Sequence, residues 1–278
     1  MQHIEESFAG CAGITIFWQA WVPDSASSTK AVVVVAHGYG EHSGRYANVV
    51  EALVPQGFAV YIPDHRGHGK SGGHRALIDR YQYFLDDLDR VFARAARDHP
   101  GLPVFLVGHS MGGNIALASA LGNQGRLSGL VLSGPAVTNH GLPKPLMIMA
   151  KIVGRLNPKA ATKQLSAEGV SSDPAVVAAY VNDPLVFHGK MPAGTAKALI
   201  ETSESFQARL PSLGVPLLVV HGSADTVVSV ESGKTAYTLA GSKDKTLNVY
   251  DGLAHEVFNE PERAKVLNDV SAWLNAHC

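Results

Sequence analysis

Cysteine is scarce in this chain of 278 residues: Cys11 and Cys278 stand at opposite ends. Two such residues build no disulfide framework and no C-x-x-C pair for metal or redox chemistry. Charge of one sign is lacking as well. The 23 basic and 24 acidic residues leave a net charge of −1, so no global field draws in nucleic acid. No apolar run reaches the 18 residues of a membrane span. The first residues lack the basic start and apolar stretch of a secretory leader. Repeats and low-complexity tracts are missing too. These absences lead us to expect a cytoplasmic protein, or one attached peripherally to a membrane or cell envelope, with no nucleic-acid partner and no metal.

What is present is a rhythm. Ala31–Ala36, Phe58–Ile62, Val104–Val107, Gly129–Leu132 and Val215–Val220 are short apolar runs rich in β-branched residues, as strands buried on both faces read. Thr246–Tyr250 is a further strand. Ile14, Ile16, Trp18, Ala20 and Val22 alternate with other residues as an edge strand or hairpin arm does. Helical patterns fall between these runs, over about 45–55, 81–99, 115–121, 229–240 and 260–277. Alternation of this kind predicts an α/β fold with a mostly parallel, doubly wound sheet.

The rhythm breaks between 136 and 210. Six prolines and several helical fragments there predict an inserted helical cap, which leaves 1–135 and 211–278 as the core. Within the insertion, Lys144, Lys151, Arg155 and Lys159 fall on one side of a helix, and Leu146, Met147, Met149, Val153 and Leu156 cover much of the rest. Such a helix suits a lipid surface; it equally suits the roof of an apolar pocket with its lysines solvated.

Chemistry concentrates at strand ends. Gly108-His109-Ser110-Met111-Gly112 is a G-x-S-x-G pattern with an apolar strand running in and a helix of small residues running out. That context defines a nucleophile elbow, a cramped turn that pushes the serine hydroxyl outward. A serine needs a base to activate it and a third group to orient the base. Asp225 and His255 follow later strands in the chain order Ser, Asp, His. Asp251 is the rival acid, four residues from His255, and His221 is a rival base set deep at the end of its strand. The backbone N–H groups of Met111 and of Tyr39, in the glycine-rich loop after Ala36, are candidates for the oxyanion hole. The stretch Asp64-His65-Arg66-Gly67-His68-Gly69-Lys70-Ser71, with His74, has neither zinc-site nor P-loop spacing and reads as a loop held by its own hydrogen bonds. This chemistry requires no cofactor.

The segments His37–Tyr46, Asp64–Ser71, Gly108–Gly113, Tyr180–Leu185 and His255–Glu260 resemble those of monoacylglycerol lipases of the α/β-hydrolase fold, of hydrolase-4 type and closest to bacterial, mycobacterial-type members. The resemblance covers nearly the whole chain. It implies a helical lid and hydrolysis of monoacylglycerol, the lipid partner, to a fatty acid and glycerol. It also implies that Glu41, Arg45 and Tyr180 lie near the glycerol end. Tyr39 replaces the family's usual small or apolar residue and is expected to narrow the entrance. Residues 142–169 match least well. Short-chain carboxylesterase and lysophospholipase activities fit the same scaffold, as does a catalytically silent binding protein.

Overall fold

The structure, a computed structural model, describes residues 1–25 and 28–278; the polar stretch Pro23–Lys30 reads from its sequence as a turn, and its residues 26 and 27 lie outside the described residues. Its eight strands are β1 (Gln2–Ala9), β2 (Thr15–Val22), β3 (Ala31–Ala36), β4 (Phe58–Pro63), β5 (Val104–His109), β6 (Gly129–Ser133), β7 (Leu217–Gly222) and β8 (Lys245–Tyr250). They form one sheet in the order β1-β2-β4-β3-β5-β6-β7-β8. The β1–β2 and β2–β4 pairings are antiparallel and the rest are parallel.

Because side chains alternate across a strand, an unbroken apolar run supplies both faces of a sheet. In β3, Val32 and Val34 enter one core while Val33 and Val35 enter the other. The first core is closed by α2 (Tyr81–Asp98), α3 (Met111–Gly122) and α7 (Val230–Leu239), the second by α1 (Ala47–Leu53) and α8 (Arg263–Ala276). α3 is buried from Met111 to Ala120. Its alanines and glycines let it lie close against the strands, as its small residues predicted.

The segment ending at Val22 is a hairpin arm rather than an edge strand: its neighbours are β1 and β4. β1 is the edge, and its sequence hides it. Only Ile4 and Phe8 pack on the core, spaced four apart among polar residues, so no two-residue alternation announces the strand.

The insertion holds α4 (Lys144–Leu156), α5 (Pro174–Asn182) and α6 (Ala193–Arg209). α4 packs along α6, and α6 also touches α3. Ala198 and Phe206 of α6 belong to the sheet's own core, so the insertion is joined to the body by apolar packing.

Candidate active site

β5 delivers the chain to Ser110 and α3 carries it away. Ser110 itself has φ 55° and ψ −117°, a left-handed conformation that costs a non-glycine residue roughly 1–3 kcal/mol. Its surroundings hold it there. The Ser110 N–H donates to the Ser133 carbonyl at 2.9 Å, and its own carbonyl accepts from Asn114 and Ala136 at 3.2 and 3.1 Å. The flanking glycines are sterically required. A Cβ on Gly112 would lie 2.0 Å from the Ala36 oxygen, and one on Gly108 2.5 Å from the Gly112 oxygen. The Met111 N–H opens α3, where no carbonyl of the helix can accept it.

Asp225 and His255, on the turns after β7 and β8, meet. His255 Nδ1 lies 2.7 Å from Asp225 Oδ2. The other carboxylate oxygen accepts from the Val227 and Val228 N–H groups, each at 2.8 Å. Burial alone would raise the Asp225 pKa, but hydrogen bonds to His221 and His255 outweigh it and hold the group well below the usual carboxylate range. His221, the rival base, is bonded to this same acid: its Nε2 lies 3.1 Å from Asp225 Oδ2. Asp251, the rival acid, accepts instead from the Ser223 hydroxyl and is exposed. α7 takes its cap from Ser229 rather than from Asp225.

Ser110, His255, Gly38, Tyr39, Glu41 and Tyr180 line one small cavity of about 30 Å³. Its polar wall is an ion network. Glu41 accepts from the Gly38 N–H at 2.5 Å, the Tyr46 hydroxyl at 2.7 Å and Arg45 at 3.0 Å. Arg45 also forks onto Glu256 at 2.5 and 2.8 Å and stacks 4.7 Å from the Tyr180 ring. Burial pushes the Glu41 carboxyl up, yet Arg45 and the neighbouring histidines His109 and His37 hold it down at about 2. The His109 ring packs 4.7 Å from that of His255; burial and that neighbour lower its own pKa to about 3.

Ser110 and Tyr39 also open onto a second cavity, about 630 Å³, lined by Met111, Leu146, Met147, Met149, Val153, Leu199 and Ile200 among others. α4 thus roofs an apolar channel that ends at the serine, and Tyr39 stands where channel and small cavity join. The helix stops at Leu156, so Lys159 falls in the following turn, and Lys151 is paired with Glu204 at 3.0 Å. Leu146, Ile148, Met149, Ile152 and Leu156 are exposed, and Lys144, Arg155 and Lys159 are exposed beside them.

The loop Asp64–Ser71 is tied internally, as expected. Asp64 accepts from the Ser43 and Lys70 N–H groups, each at 2.7 Å, and its carbonyl accepts from the Ser71 hydroxyl at 2.7 Å. Sequence reasoning assigned no role to Glu256 or to Glu260. Glu260 is fully buried and accepts from Ser171, from both the N–H and the hydroxyl of Ser172, and from the Ala254 N–H. It therefore ties the His255 turn to the insertion. The only signal available for either residue was its place in the His255–Glu260 motif.

Comparison with known proteins agrees with this geometry. The family model described as serine aminopeptidase, S33 (Hydrolase_4) matches residues 27–262. A monoacylglycerol lipase of Mycolicibacterium smegmatis is 46% identical over 98% of this chain and 97% of its own. The human monoglyceride lipase is 32% identical over 95% of this chain and 88% of its own. Among solved structures, the monoacylglycerol lipase of Paleococcus ferrophilus superposes with a TM-score of 0.83 at 28% identity, covering 100% of both chains.

Proposed function

The chain belongs to the serine aminopeptidase S33 family of α/β-hydrolases, as a serine-dependent carboxylic ester hydrolase, and we propose that it cleaves monoacylglycerol to a fatty acid and glycerol. One observation carries this reading: an apolar channel of about 630 Å³ and a far smaller cavity of about 30 Å³, bounded on one side by Glu41, Tyr180 and Glu256, meet at Ser110. The channel has room for an acyl chain, and the small cavity sets Glu41, Tyr180 and Glu256 beside the alcohol side of the ester. So small a space leaves no room there for further acyl chains on the head. The full-length similarity to the mycobacterial and human lipases supports the same substrate.

In the proposed cycle His255 takes the Ser110 proton as the serine oxygen attacks the ester carbonyl. Asp225 keeps the proton of the imidazole on Nδ1 and stabilises the imidazolium that forms. The Met111 and Tyr39 N–H groups meet the developing oxyanion. His255 then protonates the departing glycerol oxygen, and water, deprotonated by the same imidazole, releases the fatty acid from Ser110. Glu41, Arg45 and Tyr180 bound the glycerol end as a preformed polar wall, with residues 136–210 acting as the lid over the core of 1–135 and 211–278. The exposed apolar face of α4, flanked by Lys144, Arg155 and Lys159, suits contact with a lipid surface. Among the described residues, no helix is long and apolar enough to cross a membrane.

Turnover of mono-, di- and triacylglycerols with one acyl chain tests the substrate. The first should dominate, and comparable triacylglycerol turnover would refute the assignment. Ser110→Ala should lose at least about 10⁴-fold in kcat and all labelling by a fluorophosphonate probe. Labelling of neither wild type nor variant would favour a silent binding protein.

A further inference from the structure

The proposed cycle leaves one buried polar ring without a task. His221 sits at the end of β7 with its side chain wholly enclosed. Its Nε2 is 3.0 Å from the Val228 carbonyl and 3.1 Å from Asp225 Oδ2. A carbonyl only accepts, so this nitrogen carries the hydrogen and shares it with the carboxylate. Nδ1 is bare and without a partner. Gly233 closes over it so tightly that a Cβ there would lie 2.6 Å away. Burying an imidazole with one nitrogen unsatisfied is costly. A hydrocarbon of the same size would fill the space without that cost, so what the ring contributes is its single donated hydrogen.

We propose that His221 is a positioning residue for the hydrolysis, fixing Asp225 Oδ2 against His255 and, by sharing that oxygen, tempering the carboxylate's hold on the His255 imidazolium. The inference rests on the proposed roles of Asp225 and His255. With it, the carboxylate has four donors: the Val227 and Val228 N–H groups on Oδ1, and His221 and His255 on Oδ2. Two backbone bonds on one oxygen leave the carboxylate free to tilt about them; the His221 bond removes that freedom. It also spreads the charge on Oδ2 over two rings. Without His221, Oδ2 would concentrate its charge on His255, and the imidazolium would be harder to deprotonate. The other titratable groups around His255 are His109 across 4.7 Å and Glu41, Tyr39, Tyr180 and Glu256 around the shared cavity. None of them bonds to His221, so a change at 221 reaches His255 through Asp225.

Steady-state kinetics against pH on a water-soluble short-chain ester test this with His221→Leu, His221→Gln and Asp225→Asn. Asp225→Asn examines the underlying reading by itself and should lose about 10⁴-fold in kcat; an active variant would remove Asp225 from the mechanism. If that loss is seen, His221→Leu should lower kcat about tenfold, the loss of one hydrogen bond to a charged group, and leave KM unchanged. Its acid limb should move to higher pH by about half a unit. His221→Gln, whose amide nitrogen replaces Nε2, should recover most of kcat and return the limb. Equal losses in both variants with an unmoved limb would reduce His221 to packing. Should the leucine variant fail to fold, nitrogen-15 NMR of the histidines in the unaltered protein decides. His221 should hold its hydrogen on Nε2 at the assay pH, and a hydrogen on Nδ1 would overturn the proposal.

Discussion

The two halves of the insertion are attached to the body in opposite ways. The stretch around α5 is tied by polar groups. The Phe187 N–H donates to Gly40 at 2.7 Å, His42 meets Asp183 at 2.9 Å, the Glu256 N–H donates to Val170 at 2.8 Å, and Glu260 gathers Ser171 and Ser172. Each of these ends on a loop that carries Tyr39, Glu41 or His255. α4, by contrast, buries only Gly154, and Leu156 at its end is 80% exposed. The polar side of the site is thus built to fixed dimensions by directional bonds. The acyl side is walled by a helix that packs along α6 through Gly154 and the Lys151–Glu204 ion pair, and its apolar channel face sets no register for a flexible chain. A polyol head needs oriented partners and an alkyl tail needs only volume.

Glu260→Ala should break this contrast most severely. It strips three contacts from the α5 half and one from the Ala254 N–H, and leaves buried donors unpaired, for a loss of about 3 kcal/mol in chemical denaturation. Turnover of every ester should fall with it, because the His255 turn loses its anchor; unchanged stability and activity would show that Glu260 ties nothing together.

Glu41→Gln should have a smaller effect, largest near neutral pH and vanishing at low pH. A carboxylate whose folded pKa is depressed stabilises the protein above its ordinary value of 4.5 and loses that contribution as pH falls through about 2. The wild type should therefore lose stability over this window more steeply than Glu41→Gln. Parallel acid-denaturation curves would remove Glu41 from the balance.

Ile148→Glu combined with Ile152→Glu on the exposed face of α4 should matter least to the fold, shifting stability by about 0.5 kcal/mol or less. Water-soluble short-chain esters should be turned over within about twofold of wild type. Sedimentation with anionic vesicles should drop sharply, and vesicle binding equal to wild type would refute lipid contact through α4.

How much of this could be read beforehand varied with the reach of the interaction. The strand runs, the elbow and the positions of Ser110, Asp225 and His255 at strand ends followed from local pattern, because a buried parallel strand and a strained turn leave their requirements in neighbouring residues. β1 escaped because its pairing with β2 needs only backbone groups and leaves its side chains free to be polar. Glu256 and Glu260 escaped for a different reason. Arg45 and Glu256 are 211 residues apart, and Ser172 and Glu260 are 88 apart, so no window of sequence contains both partners.

α4 and His221 mark the same boundary within single elements. The sequence of α4 suited both a lipid surface and a pocket roof; packing along α6 gave it one channel-lining face and left another exposed. His221 was a competing base by residue type, and the turn after β7 made it the second donor to Asp225. Residue order alone determined which segments are strands and helices and which side chains stand where strands end, since those depend on periodicity and local sterics. Distances between atoms far apart in the chain decided which acid meets which base, what braces them and how large the two cavities are. Those distances exist only once the strands have taken their order in the sheet.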